Sequence, residues 1–221
     1  MIFSLLPVPL VLISTVYYYR AVQNQDLNQI ALFQPTTTIL NIMIAVLSFT
    51  RESTNPWFTC CVLGCLVIAL IGDINNKNMA DMKTVIRGLI IFVFAYLGYG
   101  IMLSYFNGFH REDVFAGGVI LIVYLVYLKV IWKTLGEMKP AVIIYGFIMF
   151  FLVSRGISTV FGSYFSSLQK VLLVLGPTFL LMGDIEFSVH LFKKPLTRLY
   201  GPFFYGCGQM MIALSCSFFP E

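Results

Sequence analysis

The sequence predicts an all-α integral membrane protein, one domain over 1–221 built as a bundle of eight transmembrane helices. Three observations predict it. Of 221 residues, 59% are hydrophobic and 11% charged, with a mean hydropathy of +0.88. A globular domain is about 45–50% apolar and about 25% charged, so there is too little charge to cover a soluble globule or to keep a chain disordered. Eight apolar runs have the length of about 20 residues that a bilayer span needs. The links between them are short and polar: 23–28, 51–56, 75–83, 107–113, 133–139, 162–167 and 188–198.

The first run, 2–19, has no basic residue before it and no A-x-A-like cleavage site. It reads as a retained span rather than a secretory signal. The second, 31–49, opens with Gln34-Pro35-Thr36-Thr37-Thr38 and stops before Arg51. The third, 57–74, ends at Asp73, with Asn75, Asn76 and Lys77 following. The fourth, 85–106, begins beside Arg87 and carries Tyr96. The fifth, 114–132, lies between Asp113 and Lys133. The sixth, 140–161, starts at Pro140 and holds Tyr145. The seventh, 169–187, holds Asp184, and the eighth, 199–218, holds Tyr205 and Gln209. Eight spans leave almost nothing over, so no soluble extension is expected at either end. Any chemistry then belongs within the bilayer or at its edge.

Basic residues set the orientation. The links after the odd spans, with the residues flanking them, hold Arg20, Lys77, Lys83, Arg87, Lys129, Lys133, Lys139, Lys193, Lys194 and Arg198. The other side holds Arg51, Arg111, Arg155 and Lys170. The richer side is expected to be cytoplasmic, with both termini outside, in a bacterial cytoplasmic membrane. The Lys and Arg residues are scattered between apolar runs, which speaks against a nucleic-acid partner. No obligate protein partner is inferred. The five cysteines, Cys60, Cys61, Cys65, Cys207 and Cys216, lie in apolar runs without CxxC spacing, so they read as small hydrophobes rather than as a disulfide frame or zinc site.

Charges inside spans are costly and usually functional. Asp73 and Asp184 each sit in a Gly-Asp-Ile tripeptide near a span's end, and Val-Leu-Gly precedes both. The repetition suggests two parallel four-helix halves, although the upstream spacing slips by one residue. Both spans run in the same direction, so both aspartates lie at one depth near the expected cytoplasmic edge. Two carboxyl groups held together can supply one acid and one carboxylate at the same pH, because a second charge beside the first is expensive. The bland alternative is that each aspartate merely ends its helix. Thr36, Thr37, Tyr96, Tyr145, Tyr205 and Gln209 fall on the same side. A span threonine usually bonds its own backbone and a tyrosine often marks an interface, but a buried Gln209 amide needs partners. His110 and His190 lie in links and read as surface. Glu186 is expected on another face of its helix, toward Lys193 or solvent. No serine-hydrolase, zinc-protease or P-loop motif is present, and neither a metal nor a cofactor is expected.

These pieces together resemble the YhhN family of eight-span membrane proteins over nearly the whole chain. The resemblance rests on Pro35-Thr36-Thr37-Thr38, Gly72-Asp73, the stretch from Gly88 to Tyr99, Pro140 and Tyr145. It continues through Gly176 to Asp184, Phe192, Tyr205 to Gln209, and Ser215. The sequence departs at Gln34, where the family usually has Lys; at Tyr96, where it often has His; and at Gly183, where it often has Ser.

The resemblance implies a lysoplasmalogenase, hydrolysing a vinyl ether to a fatty aldehyde and glycerophospho-ethanolamine or -choline, with a lysophospholipid substrate drawn from membrane lipid. One of Asp73 and Asp184 would be the acid and the other the base. Tyr205 and Gln209 would position water or the ether oxygen; Tyr96, Tyr145, Thr36 and Thr37 would line the pocket; Arg87 or Lys77 would receive the phosphate. A hydrolase of another lipid ether or epoxide is an alternative. So is a proton- or sodium-coupled transporter, which calls for mid-membrane polar groups on broken helices; a purely structural protein is a further one.

Overall fold

The structure is a computed structural model that describes residues 3–75, 82–193 and 195–220. Its eight α-helices follow the apolar runs: α1 Val8–Gln23, α2 Leu27–Ser48, α3 Pro56–Asn75, α4 Met82–Asn107, α5 Glu112–Ile131, α6 Lys139–Ser158, α7 Ser167–Phe192 and α8 Gly201–Ser215. Three short 3-10 turns stand at Phe3–Leu5, Trp132–Thr134 and Gly136–Met138. Among the described residues there is no strand.

Local chemistry sets several ends. Asp26 caps α2 by accepting from the backbone N–H of Asn28 and Gln29, both at 3.1 Å. At the start of α7 the Ser166 hydroxyl accepts from the Gln169 N–H, and the Gln169 side chain accepts from the Ser166 N–H, a reciprocal capping box. Pro35 and Pro177 sit inside α2 and α7. Nearby threonines bond the carbonyls one turn back: Thr36 to Leu32, Thr37 to Phe33 and Thr178 to Val174.

Among the described residues seven helical segments are long and apolar enough to cross a bilayer, and the chain is a multi-pass membrane protein. The expected eighth span is shorter than read: α8 has 15 residues, below the usual spanning length. Its helix stops at Ser215 because polar side chains from neighbouring segments take the next carbonyls. Thr54 bonds Cys216 O at 3.4 Å, Arg51 bonds Ser217 O, and Ser166 bonds Phe218 O at 2.6 Å. A second boundary also moves. The expected link 188–198 begins as helix, since α7 runs on to Phe192, so His190 belongs to α7 rather than to a loop.

The main helix contacts are α1 with α2, α2 with α3, and α3 with α4, then α4 with α6, α6 with α7, α7 with α8, and α8 back onto α1 and α2. The contact of α4 with α6 and that of α8 with α2 occupy equivalent places in two four-helix halves. The fifth helix, α5, packs mainly on α6 and only 11% of its apolar window is buried. The exterior carries exposed Leu10, Ile13, Trp57, Ile90, Ile122 and Val126, as lipid-facing surfaces do. The interior is built from Phe58, Leu66, Tyr96, Tyr99, Met149, Leu173, Leu180 and Ile212. Small residues let helices close in. A Cβ on Gly176 would lie 3.0 Å from the Gly208 carbonyl, and one on Gly208 would lie 2.9 Å from the Gly176 carbonyl, so α7 and α8 cross at backbone distance.

Candidate functional site

Asp73 occupies the last turns of α3 and is 1% exposed. A buried carboxyl needs donors, and three reach it. Gln34 Nε2 donates to Oδ1 at 2.9 Å, and Thr38 Oγ1 donates to Oδ2 at 2.5 Å. Tyr205 OH lies 2.9 Å and 3.1 Å from the two oxygens. Gln34 and Thr38 stand four residues apart on α2, which puts them on one helix face. Tyr205 enters from α8, so Asp73 is the point where α2, α3 and α8 are tied together.

Asp184 on α7 is half-buried. Tyr145 OH, on α6, donates to its Oδ2 at 2.8 Å. Among the described residues Oδ1 takes no hydrogen bond. Each aspartate therefore draws a donor from the preceding helix of its own half: Gln34 stands 39 residues before Asp73, and Tyr145 stands 39 residues before Asp184. The repeat suggested by Gly-Asp-Ile thus extends to the partners, with an amide in one half and a phenol in the other.

A cavity of about 110 Å³ lies between the two constellations, at the end of the bundle where α1, α3 and α7 finish. Asp184, Glu186, Gln34, Tyr96, Tyr145 and Tyr205 give its wall polar groups, and Val85, Leu89, Phe92 and Leu180 are among its apolar ones. Asp73 itself does not line it; Gln34 and Tyr205 stand in between. One wall is an aromatic row. Tyr205 meets Phe92 edge-on at 5.9 Å, Phe92 stacks on Tyr96 at 6.0 Å, and Tyr96 meets Tyr145 at 6.0 Å. The row begins at the phenol bonded to Asp73 and ends at the phenol bonded to Asp184.

Several expected residues fall elsewhere. Gln209 is fully buried and accepts from Tyr99 OH at 2.9 Å, so it joins α8 to α4 and is not among the cavity-lining residues. Thr37 bonds Ser14 at 2.8 Å and ties α2 to α1. Thr36 bonds its own helix. Arg87 is exposed beside the cavity rather than in its wall, and Lys77 lies outside the described residues. Glu186 corrects the expectation that it turns away: it lines the cavity and accepts from the Gly201 N–H, placing a carboxylate at the positive end of α8. His190 Nδ1 accepts from Leu196 N–H at 2.9 Å and braces the turn after α7. The missed residues are Gln34 and Thr38. Their i, i+4 spacing is the signal that separates them from Thr36 and Thr37.

A family profile described as the YhhN family matches residues 29–216. The chain belongs to the YhhN family. The match spans α2 through α8 and takes in every residue of both aspartate constellations. In this YhhN protein Gln34 supplies a donor to Asp73 without a positive charge. No curated protein and no solved structure matched the chain.

Proposed function

We propose that the protein is a lysoplasmalogenase, hydrolysing the vinyl-ether bond of a single-chain glycerophospholipid. The observation that carries this reading is Asp184, with one oxygen held by Tyr145 and the other without a hydrogen bond among the described residues, on the wall of a largely apolar cavity backed by four aromatic rings. YhhN membership supports the same reading, since the family includes lysoplasmalogenases.

The chemistry follows from these groups. Asp184 gives a proton to the outer alkene carbon, the π pair forms the new C–H bond, and the carbon next to oxygen becomes an oxocarbenium ion. Aromatic faces attract cations most strongly where water is scarce, and Phe92, Tyr96, Tyr145 and Tyr205 form such a wall. Water adds to the cation and returns a proton to Asp184. The hemiacetal then loses its hydroxyl proton as its C–O bond breaks and the glyceryl oxygen takes up one proton, to give the aldehyde and the alcohol. Asp73 acts behind Tyr205. Gln34, Thr38 and Tyr205 can all donate to one carboxylate at once, and a fixed negative group so placed favours the developing cation. Asp73 is thereby a positioning and electrostatic residue, and Asp184 is the acid. The transporter alternative called for broken helices, whereas α3 and α7 are continuous through both aspartates.

The test is fatty-aldehyde release from lysoplasmalogen by the purified protein. Asp184→Asn, shown to be folded, is expected to lose at least about 10²-fold in rate, the usual share of a general acid. Asp73→Asn keeps a hydrogen-bonding side chain and is expected to lose less. Undiminished release from Asp184→Asn removes it as the acid. No release from the folded wild type overturns the reading.

A further inference from the structure

A second cavity, of about 50 Å³, adjoins the first. It lies among α5, α6 and α7. Leu89, Tyr145, Asp184 and Phe187 line both cavities. Beyond those shared residues its wall is almost wholly apolar: Val142, Met149, Phe150, Leu181, Ile185 and Leu191. The two cavities differ in character. The first carries a second carboxylate, an amide and phenols; the second carries the Tyr127 and Ser188 hydroxyls, which are bonded to each other from α5 to α7. The boundary between them runs through Asp184.

We infer that the second cavity is the slot for the hydrocarbon chain of the substrate, with the ether oxygen and head group in the first and the reacting carbons at Asp184 between them. This rests on the proposed hydrolysis. The chemistry asks for such a division. The proton must land on the alkene carbon that bears the chain, while the neighbouring carbon, bonded to oxygen, becomes the cation. A group lining both cavities can reach the first of these while the aromatic row faces the second.

Size limits what the slot can take. An apolar cavity of about 150 Å³ holds a benzene, so about 50 Å³ holds only a few carbons. The slot therefore grips the part of the chain next to the double bond. The remainder leaves past α5, the helix with least of its surface buried, into the surrounding lipid. The Tyr127–Ser188 pair joins α5 to α7 in the wall of the slot. Chain length beyond the first carbons is then weakly selected, and bulk near the double bond is strongly selected.

The test uses a probe that the reaction cannot consume: an alkyl-ether lysophosphocholine with a photoactivated diazirine on its fourth chain carbon. The full chain in detergent is irradiated with and without excess unlabelled alkyl-ether lipid. The expected result is displaceable label on the α5, α6 and α7 peptides around Tyr127, Val142, Met149 and Leu191. Val142→Phe, which fills the slot, is expected to cut that label about tenfold, a change of about 1.4 kcal/mol in affinity. Leu191→Phe provides a second plug if the first variant does not fold. Displaceable label on α1 or α8 instead, or label unchanged in a folded plugged variant, overturns the slot. Because the probe is not hydrolysed, this outcome is separate from aldehyde release. Loss of the hydrolase reading leaves labelling at the slot intact, and loss of the slot leaves aldehyde release intact.

Discussion

Single hydroxyls divide the threonines of α2 into different jobs. Thr36 donates to its own helix, Thr37 joins α2 to α1 through Ser14, and Thr38 donates to Asp73. Thr38→Val keeps the shape and removes the donor. A hydrogen bond to a charged partner contributes about 1.5–3 kcal/mol, so this variant is expected to lose about tenfold or more in aldehyde release while Thr36→Val stays at the wild-type rate. Equal rates for both variants would detach Asp73 and its cradle from the reaction. The two aspartates were legible in the sequence because an ionisable residue inside an apolar run is conspicuous. Thr38 and Gln34 were less so, since three consecutive threonines look alike until a partner selects one face. Gln209 misled for a related reason: a buried amide does need a partner, and it finds Tyr99 rather than the cavity.

Element boundaries were legible where an apolar run meets charge and blurred where polar residues have protein partners. Beyond Asp184 the chain reads as a link, because Glu186, Ser188 and His190 follow at close spacing. Each has a partner instead: Gly201 N–H, Tyr127 and Leu196 N–H. So α7 continues. The short α8 depends on α7 more than any other pair does, through the crossing at Gly176 and Gly208. A methyl group on Gly208 would meet the Gly176 carbonyl and Leu180 within 3.0 Å. Gly208→Ala is therefore expected to push the helices apart, at the cost of about 1–3 kcal/mol typical of overpacking, and to displace Tyr205 from Asp73. Thermal denaturation and aldehyde release should fall together. Gly64→Ala is the matched control. It is exposed on α3 with nothing within 4 Å of an added Cβ, and alanine is the better helix former, so its midpoint should hold or rise. A Gly208→Ala protein as stable and active as wild type would show that α7 and α8 are not in this close register.

At the scale of the molecule, the bundle has two unlike ends. The end with the cavity collects Arg20, Lys83, Arg87, Lys129, Lys133, Lys139, Lys193 and Arg198. The opposite end has Arg51, Arg111, Arg155 and Lys170, and Arg155 is buried, 3% exposed, and bonded to Asp113 at 2.9 Å. Burial in an ion pair makes Arg155 a packing element of α5 and α6, which leaves fewer exposed basic side chains at that end. The bias of basic residues toward the cytoplasm makes the inner leaflet the expected side of the cavity, and we propose that orientation. The proposed substrate is a single-chain amphiphile, so it would arrive from that leaflet with its head at the basic rim and its chain toward the slot beside α5. Both ends offer exposed positions flanking the same helix: Arg111 before α5 and Lys133 after it. With Cys60 and Cys61 replaced by alanine, an impermeant maleimide is expected to label Arg111→Cys in intact cells and Lys133→Cys only after the membrane is opened. The reverse pattern would turn the cavity to the outer leaflet and make lipid of that leaflet the substrate pool, with the site chemistry unchanged.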